Sequence, residues 1–193
     1  MAEVAKDTVR VVQQPKRLKT PLYPHQRANI YTMEQLEKDK KSLLPDGSEL
    51  ESVIGILGDR VGTGKTKTII GLIWRDKRPW KGPLHHSSSQ TCSNLDGSIR
   101  IIKREVFTRI ATTLIVVPPS IVGQWENELK ETDLRFKTIE RKSECRDVEV
   151  YEVVICCTTM FNHLMIIYHD VVFKRFVFDE MDSAHIPNMA HIR

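Results

Sequence analysis

The chain has 193 residues, of which 40% are apolar and 28% charged, and a formal net charge of +4. This is enough chain to bury one proper core with the composition of a soluble globular protein, and its longest apolar runs are strand-length, which excludes a transmembrane helix. The opening residues MAEVAKDTVR lack an apolar stretch and so do not form a secretory signal, and Cys92, Cys145, Cys156 and Cys157 include no CxxC pair. Both features point to a reducing intracellular compartment, nuclear or cytoplasmic, with no zinc site and no membrane partner.

Residues 1–20 are polar and aperiodic, and a flexible basic tail is expected there. From Pro24 the segment HQRANIYTMEQLEKDKKSLL carries Ile30, Met33 and Leu36 at helical spacing, with Pro24 suited to a first turn. Pro45-Asp-Gly47 is a breaker. Val53 to Leu57 is expected to be a short strand, and Lys65 to about Trp74 a helix bearing Ile69, Ile70, Leu72 and Ile73. Residues 77–110 contain PWKGPLHHSSSQTCSNLDGS, rich in Pro, Gly, Ser and His, and a mobile insertion is expected there. His85 and His86 are adjacent, a poor spacing for metal ligands, so they are read as solvated.

Regular order returns with TLIVVPPSIVGQWENELKE. Thr113 to Val117 is expected as a buried strand and Pro118-Pro119 as its end. Ser120 can cap a helix bearing Ile121, Val122, Trp125 and Leu129. VEVYEVVICC, residues 148–157, supplies one or two more strands. Thr158 or Thr159 opens a further helix, and Phe173 to Phe178 is a last strand. Strands alternating with helices predict an α/β fold with a mostly parallel, doubly wound sheet and helices on both faces. Ligands of such sheets bind at the carboxyl ends of the strands, where the 57–66 loop, PPS, CTT and Asp179-Glu180 all fall.

Two stretches carry chemistry. LGDRVGTGKT (57–66) combines Gly62, Thr63, Gly64, Lys65 and Thr66 between an expected strand and an expected helix. Glycines let backbone N–H groups close on phosphates, Lys65 can neutralise the outer two, the Thr66 hydroxyl can ligate magnesium, and the helix N-terminus favours the same anion. FVFDE (176–180) supplies the complement, with Asp179 placed to hold the magnesium shell and Glu180 to orient a water. A buried strand ending in two solvated carboxylates would look the same. Together the stretches point to a nucleoside triphosphate. The strict loop pattern has a glycine where this chain has Asp59.

Charge is unevenly placed. Residues 1–45 hold nine Lys/Arg against five Asp/Glu, and residues 77–110 hold seven against two. Two basic segments flank a net acidic body, which is compatible both with a polyanion partner and with a solvated tail and loop.

In this order the pieces resemble the first, RecA-like lobe of a superfamily-two helicase, and most of all the Swi/Snf-type DNA-dependent ATPases. That family reads LADEMGLGKT at its phosphate loop, and its aspartate falls on Asp59. TLIVVPPSIVGQWENEL is similar to its strand, Pro-x-Ser turn and helix, and VVICCTTMF to its strand-Thr-Thr/Tyr motif. LYPHQ looks like the adenine-reading glutamine motif. The likeness spans roughly residues 20–190, so residues 21–193 are expected to form one ATP-binding lobe interrupted by the insertion.

The resemblance implies ATP and magnesium as ligands. Gln26 would read adenine, Gly62 to Thr66 would cradle phosphates, Thr66 and Asp179 would hold magnesium, and Lys65 and Glu180 would be catalytic. Pro118, Pro119, Ser120, Thr158 and Thr159 would follow a nucleic-acid backbone, expected to be double-stranded DNA. Trp125 is read as a core residue. A plain helix-start role suits Gln26 too, and capping is compatible with Ser120's role.

Two departures stand out. The second motif is DEMD, with Asp182 where the family has histidine. The family's third motif and second RecA-like lobe, which brings arginine fingers, are not in the sequence, so such a lobe is expected as a partner in cis or trans. Similar divergent ATPases occur in large DNA viruses. The implied activity is ATP hydrolysis driving movement on DNA, weak in this chain alone. A non-catalytic ATP-binding or interaction module, or a small P-loop kinase, would share the phosphate loop.

Overall fold

The structure is a computed structural model describing residues 10–15, 18–44, 46–76, 78–80, 82–94 and 97–180. The chain divides into two units, residues 1–77 with 127–133, and residues 78–126 with 134–193.

In the first unit, helix α1 (Pro24–Asp39) starts at a capping box, with the Gln26 side chain receiving the Tyr23 N–H at 2.8 Å, and ends at left-handed Lys40. Strands β1 (Lys41–Leu43) and β2 (Glu49–Glu51) form an antiparallel hairpin around the expected breaker. Helix α2 (Lys65–Arg75) packs on α1. Val12, Leu22, Ile30 and Leu72 are buried together. A Cβ on Gly71 would meet Ile30 Cδ1 at 2.8 Å, so only glycine lets the helices come this close. Arg75 clamps Glu34 through two nitrogens at 2.8 and 3.3 Å.

Two sequence expectations differ here. The loose tail does not extend through residue 20. From Arg10 the described chain is anchored by buried Val12, by its N–H to Arg27 O at 3.2 Å, and by Gln14, whose side chain accepts the Leu22 N–H at 2.9 Å. Residues 1–9 lie outside the described residues. Val53 to Leu57 forms no strand, and Val53, Ile54 and Ile56 are 83, 74 and 93% exposed. Apolar, β-branched composition favours a strand, but a strand exists only through a paired neighbour, and among the described residues none pairs with this one.

The second unit is a five-stranded sheet. Strands β3 (Pro83–Asn94) and β4 (Gly97–Val117) form a long antiparallel hairpin. The carboxyl half of β4 is flanked in parallel by β6 (Val153–Cys157) and by β7 (Val171–Phe178), and β5 (Phe136–Ile139) lies parallel beyond β6. Helix α3 (Val122–Lys130) follows β4 after a 3-10 turn at Pro119–Ile121, and α4 (Thr158–Ile167) follows β6 directly.

Leu114, Val116, Val154 and Cys156 point to one face, where Phe161, Leu164 and Met165 of α4 cover them. Ile115, Val117, Val153 and Ile155 point to the other face and are equally buried. Burial on both faces is why these strands read as unbroken apolar runs. The sheet is the mostly parallel α/β architecture expected. Residues 148–150 are a 3-10 turn rather than strand, and β5 is an element the sequence reading did not foresee.

Within residues 77–110, expected as a mobile insertion, the described residues 83–94 and 97–110 form the β3–β4 hairpin, a pairing the sequence reading did not foresee. Polar composition argues against core packing but not against a two-stranded ladder, whose backbone groups satisfy one another. Among the described residues no helix is long and apolar enough to cross a membrane.

Candidate nucleotide and nucleic-acid site

The phosphate-loop half belongs to the first unit. Gly62 (φ 83°) and Gly64 (φ 79°) are left-handed, and Gly64 is the N-cap of α2. Side chains rarely adopt this conformation. At Gly64 a Cβ would also collide with the Gln26 amide nitrogen. Lys65 folds back across the loop, its Nζ donating to Asp59 O at 2.9 Å and Arg60 O at 3.1 Å. The Thr63 hydroxyl donates to Arg60 O at 2.8 Å, and Asn29 of α1 holds the Asp59 carboxylate. Thr66 is buried in the first turn of α2.

Gln26 is 2% exposed and fully engaged. Its amide nitrogen donates to Thr63 O and Gly64 O, both at 3.1 Å, while its oxygen caps α1. His25 Nε2 lies 3.2 Å from the same Thr63 oxygen, and its ring stacks on exposed Tyr23 with centroids 5.7 Å apart. Gln26 is therefore a buckle between α1 and the loop. Reading adenine would require it to exchange at least one of these loop bonds. Neither Asn29 nor this buckle carries a signal in a single sequence.

The loop fits an anion. It joins a helix N-terminus, two glycines that open the backbone, and a lysine held, among the described residues, by carbonyls that a phosphate could replace. Within its own unit, the Thr66 hydroxyl also has the chemistry to ligate a hard cation.

The other half lies along the carboxyl edge of the second unit. Parallel registers pair Val117 with Cys157 and Val116 with Phe178, so Thr158, Pro118 and Asp179 follow three adjacent strands, β6, β4 and β7 respectively. The Asp179 N–H donates to Val116 O at 3.2 Å, and buried Trp125 donates its indole N–H to Asp179 Oδ2 at 3.0 Å. Trp125 is thus a core residue, as read, but it also orients the candidate magnesium carboxylate. The available signal is that a buried indole N–H needs a partner. Glu180 is exposed and left-handed, with φ 53°.

Pro118 is buried, while Pro119 and Ser120 are exposed. Ser120 sits, exposed, inside the 3-10 turn, whose N-cap is Pro118. Thr158 is half-buried, and exposed Thr159 donates its hydroxyl to Cys157 Sγ at 3.3 Å. Asp182 lies outside the described residues. Each half is assembled within its own unit.

Residues 25–182 match the SNF2-related domain. The chain is 28% identical over 158 residues to a protein of Acanthamoeba polyphaga mimivirus named "Putative helicase R592", covering 69% of this chain and 18% of that protein. It is 34% identical over 82 residues to DNA repair protein RAD5 of Candida glabrata, covering 41% and 7%. It therefore spans less than a fifth of either relative. Its fold matches the Sulfolobus solfataricus SWI2/SNF2 ATPase core, solved in complex with dsDNA, with a TM-score of 0.52 and 13% identity over 88% of this chain and 33% of that one. The chain belongs to the SNF2-related domain family.

Proposed function

We propose that this chain is the ATP-binding lobe of a nucleic-acid-dependent ATPase of helicase or translocase type, acting on double-stranded DNA with a second RecA-like lobe. The observation that carries the reading is Lys65 Nζ bound, among the described residues, to the loop carbonyls of Asp59 and Arg60 in a loop with two left-handed glycines. Incoming phosphates offer that ammonium a charged acceptor in place of neutral ones, about twice as strong per hydrogen bond.

Thr66 and Asp179 are each, within their own unit, a candidate magnesium ligand, and bound magnesium would neutralise charge on the outer phosphates. Trp125 keeps the Asp179 carboxylate in one orientation. Glu180 orients the attacking water, and the left-handed backbone sets the direction of its side chain. In-line phosphoryl transfer asks for positioning and charge neutralisation more than covalent chemistry, which this set of groups supplies. Ser120 and Thr159, exposed at the strand ends, supply hydroxyls for phosphodiester oxygens.

A steady-state ATPase assay with and without duplex DNA tests the reading, run on this chain and on one joined to its second lobe. Slow turnover by this chain alone, and DNA-stimulated turnover in the joined form that Glu180→Gln removes, are the expected results. Phosphorylation of a small acceptor would assign the chain to the kinases instead.

A further inference from the structure

The basic segment 77–110 has no part in the chemistry above, yet it forms the longest paired element of the second unit. Residues 97–107 of β4 pair with β3 alone, making a two-stranded ribbon about 35 Å long beyond the parallel strands. Its two faces differ. On one, Lys103 is paired with Glu105 at 2.8 Å, Phe107 and Leu84 are half-buried, and the Arg109 guanidinium lies 4.9 Å over the Trp80 ring. The other face holds no ion pair among the described residues. The register sets Arg104 opposite Ser87, Val106 opposite His85 and Ile102 opposite Ser89, and all six are exposed. Ile102 and Val106 are 51 and 59% exposed, and this face carries no carboxylate among the described side chains.

We propose that this face is a second nucleic-acid contact, seating the ribbon against the backbone and major-groove edge of a B-form DNA duplex. Charge selects the partner class: Arg104 with no acid on its face among the described side chains, beside the Ser87 hydroxyl and the His85 ring, which can hydrogen-bond to phosphate oxygens. Shape selects the duplex form. A two-stranded ribbon enters the wide major groove of B-DNA, whereas the A-form RNA groove is too narrow. Ile102 and Val106 then meet sugar edges and thymine methyl groups, which gives two exposed β-branched side chains an apolar surface to cover. The inference rests on the DNA-directed reading above but concerns a surface distinct from the strand-end edge.

The test is fluorescence anisotropy of a short labelled DNA duplex titrated with the full chain, without nucleotide, over a range of salt. Arg104→Ala is expected to bind roughly three- to tenfold more weakly at low salt and to lower the salt slope by about one. Lys103→Ala, on the opposite face, should bind as the parent does, and duplex RNA should compete poorly. Both substitutions are at exposed positions, and far-ultraviolet circular dichroism checks that the fold is kept. Equal affinity of Arg104→Ala and parent overturns the ribbon contact, as does absence of any duplex binding. Loss confined to Ser120→Ala and Thr159→Ala would do the same while leaving the DNA-directed reading intact. If Arg104→Ala instead abolishes self-association seen by sedimentation, the face serves a second copy of the chain and the proposal falls.

Discussion

The indole N–H of Trp125 meets Asp179 Oδ2 at 3.0 Å. The tryptophan is buried in α3, and the aspartate ends β7. One bond therefore ties the packing of the second unit to the carboxylate proposed to hold magnesium. Trp125→Phe keeps most of the packing and loses the bond. It should cost about 1–2 kcal/mol in chemical denaturation and weaken magnesium dependence of turnover. Parental values of both would show that the indole does not orient Asp179.

Gly64 is left-handed, and a side chain there runs into the Gln26 amide. Gly64→Ala should lose about 1–2 kcal/mol of stability and most nucleotide affinity, because Gln26 must leave Thr63 O and Gly64 O. Gln26→Ala removes the collision, so adding it to Gly64→Ala should recover part of the lost stability. Strict additivity in that double-mutant cycle would mean the two residues do not press on one another.

Glu180 adopts φ 53° without being glycine. Such conformations cost about 1–2 kcal/mol, most for β-branched residues. Glu180→Val should therefore be about 1–2 kcal/mol less stable than Glu180→Gly, with both inactive. Glu180→Gln should retain ATP binding and lose hydrolysis, since it keeps the shape but not the carboxylate. Turnover at the parental rate in Glu180→Gln would remove Glu180 from the water-positioning role.

Cys145, Cys156 and Cys157 are buried, and desolvation raises the Cys145 and Cys156 thiols above their usual range. The thiolate is the reactive form, so at mildly alkaline pH these groups should resist alkylation until the chain unfolds. Mass spectrometry after brief iodoacetamide treatment checks this. Rapid native labelling of Cys156 would contradict the core packing around β6.

The unbroken apolar runs of β4 and β6, and the motif ends that follow them, were legible because burial on both faces leaves a compositional mark. The loop glycines were legible because left-handed backbone has a residue requirement. Val53–Leu57 was misread because composition reports a capacity for pairing, not the presence of a partner. The β3–β4 ribbon was missed because a two-stranded ladder held by its backbone bonds needs no hydrophobic alternation, which is the signal a strand normally leaves. β5 spans only four residues, FKTI, too few to show a period. The Gln26 buckle and the Trp125–Asp179 bond join residues far apart in the chain, and neither spacing nor composition encodes such a meeting.

The central claim is that the 59–66 loop receives a triphosphate by drawing Lys65 off the carbonyls of Asp59 and Arg60. Titration calorimetry of magnesium-ATP into the purified chain and into Lys65→Ala tests it most directly. The account predicts one saturable site in the parent and its loss, or severe weakening, in the variant. Equal affinity in the two proteins would contradict it.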